Sequence, residues 1–251
     1  MAMVTLHLSD CLEAMRGMEA QSIDAIITDL PYGTTACAWD TVIPFAPMWE
    51  EVKRVLKPRG AFVTTASQPF TSALVMSNAE WFRYAWVWEK TNAKGHLNSA
   101  LRPLVATEDI CLFAKGLHTY NPQGLRRGLF NNSRPAKATK IMGHSVYGNE
   151  RQFGFSEHTN YPRNLLRIPN GNNDSCHPTQ KPVALYSYLI RTYTHAGDTV
   201  LDFCMGSGTT GVAAVKTGRS FIGCEIDPGY FAIAEKRITE AQWQLPLLEV
   251  A

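Results

Sequence analysis

The residues best suited to chemistry are Asp29-Leu30-Pro31-Tyr32, which follow the apolar run Ile23-Asp24-Ala25-Ile26-Ile27-Thr28 and are closed by Gly33. Such a run predicts a buried strand. An acid, a rigid proline and an aromatic ring then collect at its carboxyl end, the edge where open α/β sheets bind ligands. An ionised carboxylate only accepts hydrogen bonds. Beside a planar ring it suits a flat, amine-bearing substrate such as a nucleobase.

A second constellation runs from Thr199 through Asp202-Phe203-Cys204-Met205-Gly206-Ser207-Gly208-Thr209-Thr210-Gly211 and reads as strand, tight loop and helix. The glycines let the backbone turn sharply and approach a ligand, whose negative group can sit at the helix amino terminus. Downstream, Ser220-Phe221-Ile222-Gly223-Cys224-Glu225 reads as a strand ending in an acid. Glu225 is placed to accept hydrogen bonds from both hydroxyls of a ribose, which implies a nucleoside-containing cofactor. Gly206, Gly208 and Gly211 also fit the dinucleotide fingerprint, so an NAD-dependent oxidoreductase is the rival class. Position argues against it. Only the strand carrying Glu225 and one helix follow the loop, so the remaining strands of a cofactor domain must come from the amino-terminal half.

The elements that must position these groups fall into three zones. Residues 1 to about 115 read as α/β from periodicity and breaker signals. Strands are expected at Val4–Leu8, Ile23–Thr28, Ala61–Thr65, Tyr84–Trp88 and Ile110–Ala114, and helices at Cys11–Met18, Pro47–Leu56 and Pro69–Asn78. Lys57-Pro58-Arg59-Gly60 reads as a helix stop. From Gly116 to about Cys176 the pattern gives way to Gly, Pro, Asn, Ser and Arg with isolated aromatics, and Pro122, Pro135, Pro162 and Pro169 interrupt any long element. This stretch reads as a loop-rich insertion, 116–176, within a single domain spanning 1–251. Regularity returns with helices at Pro182–Thr194, Thr210–Thr217 and Tyr230–Gln242 and strands at Thr199–Phe203 and Ser220–Glu225.

Composition narrows the classes further. Hydrophobic residues make up 45% of 251, enough for a well-buried core and against wholesale disorder. No apolar run approaches the ~20 residues that span a bilayer, and the alternating amino terminus reads as a strand rather than a signal peptide. Cys11, Cys37, Cys111, Cys176, Cys204 and Cys224 are scattered with no Cys-x-x-Cys pair. No metal site or disulfide framework is expected, and a reducing cytoplasm fits best. The net charge of +2 does not announce nucleic-acid binding, but Lys115, Arg126, Arg127, Arg134, Lys137 and Lys140 form a stretch without an acid that suits phosphates or a plain solvated loop.

Three motifs in order carry a resemblance. Asp29-Leu30-Pro31-Tyr32 resembles the catalytic tetrapeptide of DNA amino-methyltransferases acting on adenine N6 or cytosine N4. His177-Pro178-Thr179-Gln180-Lys181-Pro182 matches the hexapeptide that precedes the cofactor loop in their β-ordered subgroup. Asp202 to Thr210 resembles their Asp-Pro-Phe-x-Gly-Ser-Gly-Thr-Thr loop. Phe203 and Cys204 stand where that pattern has Pro and Phe, and Leu30 where it commonly has a first Pro. The resemblance covers the chain outside the insertion and implies a circularly permuted Rossmann-like fold, dependent on S-adenosylmethionine, with a target-recognition insertion.

The resemblance also implies roles. Asp29 and the backbone carbonyl of Leu30 or Pro31 would accept the two protons of the target amine, with Tyr32 stacked on a base extruded from duplex DNA. Asp10 and Cys11 would meet the cofactor's adenine, with Asp10 equally suited to cap a helix. Thr179, Gln180 and Lys181 would surround its methionine end, with capping of the following helix as the alternative, and Asp202 would meet that end or fix the loop. Asp29, Cys204, Gly206, Ser207, Gly208, Thr209, Thr210 and Glu225 complete the expected cofactor set. Arg126, Arg127, Arg134, Lys137 and Lys140 are candidates for phosphate or guanine, and Asn131, Asn132 and His144 for base edges. Trp81, Trp86 and Trp88 are expected in the core. Asp at the head of the tetrapeptide favours adenine N6 by family habit, with cytosine N4 as the alternative. Double-stranded DNA is the implied partner, and a homodimer is suggested. A non-catalytic nucleic-acid-binding protein is the remaining alternative class.

Overall fold

The computed structural model describes residues 3–34, 40–131, 140–141, 144–145, 155–170 and 180–248. In chain order the elements are β1 (Val4–Leu8), α1 (Cys11–Arg16), β2 (Ile23–Asp29), α2 (Phe45–Val55), β3 (Leu56–Ala66), α3 (Phe70–Ser77), β4 (Phe82–Lys94) and β5 (Val105–Phe113). Then come β6 (Arg126–Asn131), β7 (Lys140–Ile141), β8 (His144–Ser145), β9 (Phe155–Thr159) and β10 (Leu165–Arg167). α4 (Val183–Tyr193), β11 (Thr199–Asp202), α5 (Thr209–Lys216), β12 (Ser220–Glu225) and α6 (Pro228–Leu248) complete the chain.

Residues 1–121 and 164–251 form one compact unit and Pro122–Arg163 a second. Among the described residues the first is built on an eight-stranded sheet of order β1-β12-β11-β2-β3-β5-β4-β10. β1, β12, β11, β2 and β3 run parallel, β5 is antiparallel to both β3 and β4, and β10 pairs parallel with β4. The expected rotation of strand order is therefore present: β1 pairs with β12 although the two are separated by nearly the whole chain.

Two apolar clusters cover the two faces. Alternation puts Ala25 and Ile27, Ala61 and Val63, Ile110 and Leu112, and Trp86 and Trp88 on one face, against Leu185, Tyr186 and Leu189 of α4, Val212–Val215 of α5, and Ala234 and Ile238 of α6. The other face buries Ile26, Phe62, Phe113 and Leu201 against α1, α2 and α3. Phe62 is fully buried there, with ring centroids 5.2 Å from Trp49, 5.8 Å from Phe113 and 6.2 Å from Phe203. Phe62→Ala is expected to cost about 3–5 kcal/mol, through lost transfer energy and a residual cavity, as read by denaturant unfolding.

Several elements run further than the sequence patterns predict. β3 begins directly at Leu56, because Lys57 is held by a 2.7 Å ion pair with Asp24 of β2 and the Ile23/Ala25 irregularity absorbs the proline and glycine. β4 continues past Trp88 to Lys94. β10, inside the stretch read as a loop-rich insertion, returns to the main sheet, with Leu166 buried and the Trp88 indole donating to the Ile168 carbonyl at 2.7 Å. Trp81, Trp86 and Trp88 are buried as expected. The second unit holds the antiparallel pair β6–β9, in which Arg126 faces Thr159 and Arg127 faces His158 in register, and the short pair β7–β8.

Candidate active site

The carboxyl ends of β1, β12, β11 and β2 open into a cavity of about 820 Å³, within the range usual for small-molecule sites. It reaches from Glu225 and Asp10 at one end to Asp29, Tyr32 and Glu108 at the other. The strand order reverses direction around β11, so the site sits where α/β sheets bind ligands.

At the β11 end the glycines do different work. Gly206 has φ +51 and a Cβ there would meet nothing within 4 Å, so its bare backbone borders the cavity. Gly208 has φ +78, and a Cβ there would lie 2.9 Å from the Ala234 Cβ, so it serves the packing of α6 and does not line the cavity. A Cβ on Gly211 would collide with Ile238 and Phe221 of α6 and β12. Of the three fingerprint glycines, one faces ligand space and two allow close packing. Ser207, Thr209 and Thr210 also line the cavity.

Glu225 accepts the Gly206 amide at 2.9 Å through Oε2 and the Asp227 amide at 2.9 Å through Oε1. A carboxylate has about four acceptor positions, so ribose hydroxyls retain room. Burial raises its pKa, against those amide bonds. Asp10 caps α1 by accepting from the Leu12 and Glu13 amides at 2.9 and 3.1 Å, and it borders the cavity as well, so the two readings of this residue are compatible. Cys11 and Cys204 line the same end; a hydrogen bond from Cys204 holds the Cys11 thiol below its ordinary value, and Cys204 is raised well above it. Phe203, fully buried, stacks on Phe62.

Asp202 ends β11 and is 2% exposed. It accepts from the Thr28 hydroxyl at 2.6 Å, the Thr210 hydroxyl at 2.5 Å and the Cys204 amide at 3.1 Å. Burial nevertheless pushes its pKa up to about 6. Gln180 lines the cavity. Thr179, Asn132, Arg134 and Lys137 lie outside the described residues, as do His177 and Pro178. Arg126 and Arg127 are exposed on β6 of the second unit, and Asn131, Lys140 and His144 fall on β6, β7 and β8.

At the β2 end, Leu30 turns into the core while Pro31 and Tyr32 border the cavity. The loop after Tyr32 is held by Asp40, whose carboxylate accepts the Gly33 and Thr34 amides at 2.9 Å each. Asp29 lies beside Thr65 in register and accepts the Thr65 hydroxyl. It also accepts the Tyr32 hydroxyl at 2.9 Å through Oδ1 and the Lys181 ammonium at 2.6 Å through Oδ2. Lys181, placed by the sequence reading near the methionine end of a cofactor, is thus an ion-pair partner of Asp29. The Tyr32 ring stacks on Phe70 with centroids 5.1 Å apart.

Four groups here were not singled out in the sequence. Glu108 of β5 accepts the Tyr32 hydroxyl at 2.9 Å and pairs with Lys90 at 2.7 Å and Lys181 at 3.1 Å. Burial works against its charge, but the two ammonium groups outweigh burial and hold the carboxyl down at about 2. Lys181 is raised because Asp29 and Glu108 outweigh its own burial, and Tyr32 is held neutral, well above the phenol range, by burial and the same two carboxylates. Tyr186 of α4 is buried with a hydroxyl lacking a hydrogen-bond partner among the described residues; the Thr65 hydroxyl near it donates to Asp29 instead. The available signal was alternation: Glu108 precedes Ile110 and Leu112 on one face, and Lys90 follows Trp86 and Trp88, so two charges continue inward-facing rows.

The chain is similar in sequence and in fold to known DNA methylases. The DNA methylase family N6_N4_Mtase matches residues 23–236. Type II methyltransferase M.HpaI of Haemophilus parainfluenzae is 30% identical over 246 residues, covering 93% of this chain and 73% of that one. DNA adenine methyltransferase YhdJ of Escherichia coli (strain K12) is 29% identical, covering 94% and 83%. Among solved structures, the M1.HpyAVI–SAM complex aligns with a TM-score of 0.62 at 25% identity, covering 94% of this chain and 100% of that one. The cytosine-N4-specific PvuII DNA methyltransferase shares the fold at 19% identity and a TM-score of 0.66, covering 97% and 92%. A family match over most of the length, joined to the rotated strand order and the Asp29 site, places this chain in the DNA methylase family.

Proposed function

We propose that the chain transfers a methyl group from S-adenosylmethionine to the exocyclic N6 of adenine in double-stranded DNA, directly and in line. The observation that carries this reading is that Asp29 and Glu225 open onto one cavity, which Gly206 lines with bare backbone. When bound there, S-adenosylmethionine supplies a methyl on a positively charged sulfur. Glu225 would hold ribose, Asp10 and Cys11 the adenine end, and Asp202, Gln180 and the Ser207–Thr210 turn the methionine end.

The remaining work belongs to Asp29 and Tyr32. An exocyclic base amine is a poor nucleophile because its lone pair is delocalised into the ring. Acceptors aimed at its protons localise that pair and align it, so most of the rate comes from positioning and from stabilising developing charge. Asp29 Oδ2 carries one short bond, from Lys181, and retains acceptor capacity on the side facing the cavity. Tyr32, fixed by Phe70 and by its hydroxyl, offers a ring for the extruded base. Exposed Arg126 and Arg127 support a DNA-reading role for the second unit. A homodimer is supported only by the family resemblance and is read by sedimentation.

The test is transfer of labelled methyl from S-adenosylmethionine to mixed-sequence DNA, followed by mass analysis of the nucleosides. N6-methyladenine is the expected product. N4-methylcytosine alone would overturn the choice of base while leaving the class intact, and no transfer to any base would favour a non-catalytic binding protein.

A further inference from the structure

The donors that engage Asp29 are not its own. Of its side-chain partners among the described residues, only the Thr65 hydroxyl is bonded to Asp29 without also reaching Glu108. The Tyr32 hydroxyl lies 2.9 Å from Asp29 Oδ1 and 2.9 Å from Glu108 Oε1. The Lys181 ammonium lies 2.6 Å from Asp29 Oδ2 and 3.1 Å from Glu108 Oε1. A phenol has one proton, so Tyr32 donates to one carboxylate at a time. Lys181 also stands 5.8 Å from the centroid of the Tyr32 ring. It therefore lies close to both groups that the proposed reaction offers to the target amine and to the face of the base.

We infer that Glu108 is a positioning residue for methyl transfer: it takes up the Tyr32 hydroxyl and the Lys181 ammonium as the target amine arrives, leaving the lone pairs of Asp29 to that amine. The inference rests on the function proposed above. Its physical basis is that an ammonium in short contact consumes the acceptor strength of a carboxylate. Moving that ammonium away would leave a buried, unpaired cation unless a second carboxylate stood within reach. Glu108 is that second seat. It is fixed from the opposite side by the 2.7 Å pair between Oε2 and Lys90, whose side chains are 6% and 7% exposed. With Lys90 holding one oxygen, Oε1 stays aimed at Tyr32 and Lys181. Buried ion networks contribute little to stability compared with apolar packing, so stability alone gives weak grounds for two lysines and two acids here.

The experiment compares wild type, Glu108→Gln, Glu108→Asp and the double variant Glu108→Gln/Lys181→Met, using labelled S-adenosylmethionine and mixed-sequence DNA. Single-turnover rates are measured at saturating cofactor and DNA, cofactor Kd by calorimetry, and folding by thermal melting. Glu108→Gln is expected to slow transfer about 10–100-fold while cofactor Kd changes less than about threefold, because an interaction at the reacting amine is lost and the cofactor end is untouched. Glu108→Asp, which keeps the charge, recovers part of the rate. The double variant transfers faster than Glu108→Gln alone, since an ammonium with no second seat is what obstructs Asp29. A merely structural role predicts the opposite order, with the double variant slowest and the losses tracking melting temperature. Wild-type rate in Glu108→Gln, or a double variant slower than the single, overturns the inference. If Glu108→Gln does not fold, Glu108→Asp with and without Lys181→Met gives the same comparison. Failure of wild type itself to methylate any base overturns the proposed function instead, and with it this inference.

Discussion

Asp29→Ala is expected to lower methyl transfer by about a thousandfold or more while cofactor affinity stays within a few-fold. Loss of one preorganised hydrogen-bonding group at a reacting centre costs about 10²–10³ in rate. Here the same truncation also removes the negative charge nearest the amine. Cofactor affinity is spared because Glu225 on β12, Asp202 at the end of β11 and Gly206 in the loop before α5 take their hydrogen bonds from partners other than Asp29. The fold is spared for a related reason. Without Asp29, Lys181 keeps Glu108 at 3.1 Å and Tyr32 keeps Glu108 at 2.9 Å, so no buried charge is orphaned. Single-turnover transfer of labelled methyl, with calorimetric titration of the cofactor, separates the two effects. A variant that retains a tenth of the wild-type rate would remove Asp29 from the chemistry.

The same residues show what the sequence discloses and what it withholds. Strand β2 was legible because five of its seven positions are apolar or Thr and both its faces are covered, and its carboxyl end then had to be a ligand edge. The rotated order was legible because the cofactor loop comes late and too few strands follow it. What stayed hidden lies on elements whose patterns are mixed. β5 opens with Val105-Ala106-Thr107-Glu108-Asp109, which reads as polar, yet in register Glu108 stands opposite Trp88 and is buried. β4 runs to Lys94 through Lys90-Thr91-Asn92-Ala93, where composition argues against a strand; the register with β5 shifts after Glu89 and resumes at Lys94 opposite Val105. β10 is a short Leu-Leu-Arg segment among prolines and asparagines, too brief for periodicity and held by the edge of β4. Lys181 was found by its motif, but its partner was not, since the Asp29–Lys181 pair spans 152 residues and only the folded sheet brings the two together.

Asp202 carries the other large effect, and its sign is opposite to that of an ordinary ion-paired acid. Its folded pKa of about 6 lies above the usual 3.8 because burial outweighs three donated hydrogen bonds. Between these values the native protein holds a proton that the unfolded chain has lost, so this group's contribution to stability is full below about pH 4 and is lost as pH rises through about 6. The cost of ionising it is about 3 kcal/mol. Glu108 does not offset this trend in the same window: its stabilisation, from a carboxyl held at about 2, is present above the ordinary 4.5 and is lost only in stronger acid. The unliganded protein is therefore expected to gain stability from this group on going from pH 7.5 to pH 5. Cofactor binding should run the other way. The ammonium of the methionine end, if Asp202 receives it, favours the ionised carboxylate, so binding near pH 6 expels a proton and affinity falls by about tenfold for each pH unit well below 6. Calorimetry in two buffers of different ionisation enthalpy reads the released proton directly, and Asp202→Asn should abolish both the release and the pH dependence. A cofactor Kd that is constant from pH 5 to pH 8 in the wild type would place the methionine end elsewhere in the cavity.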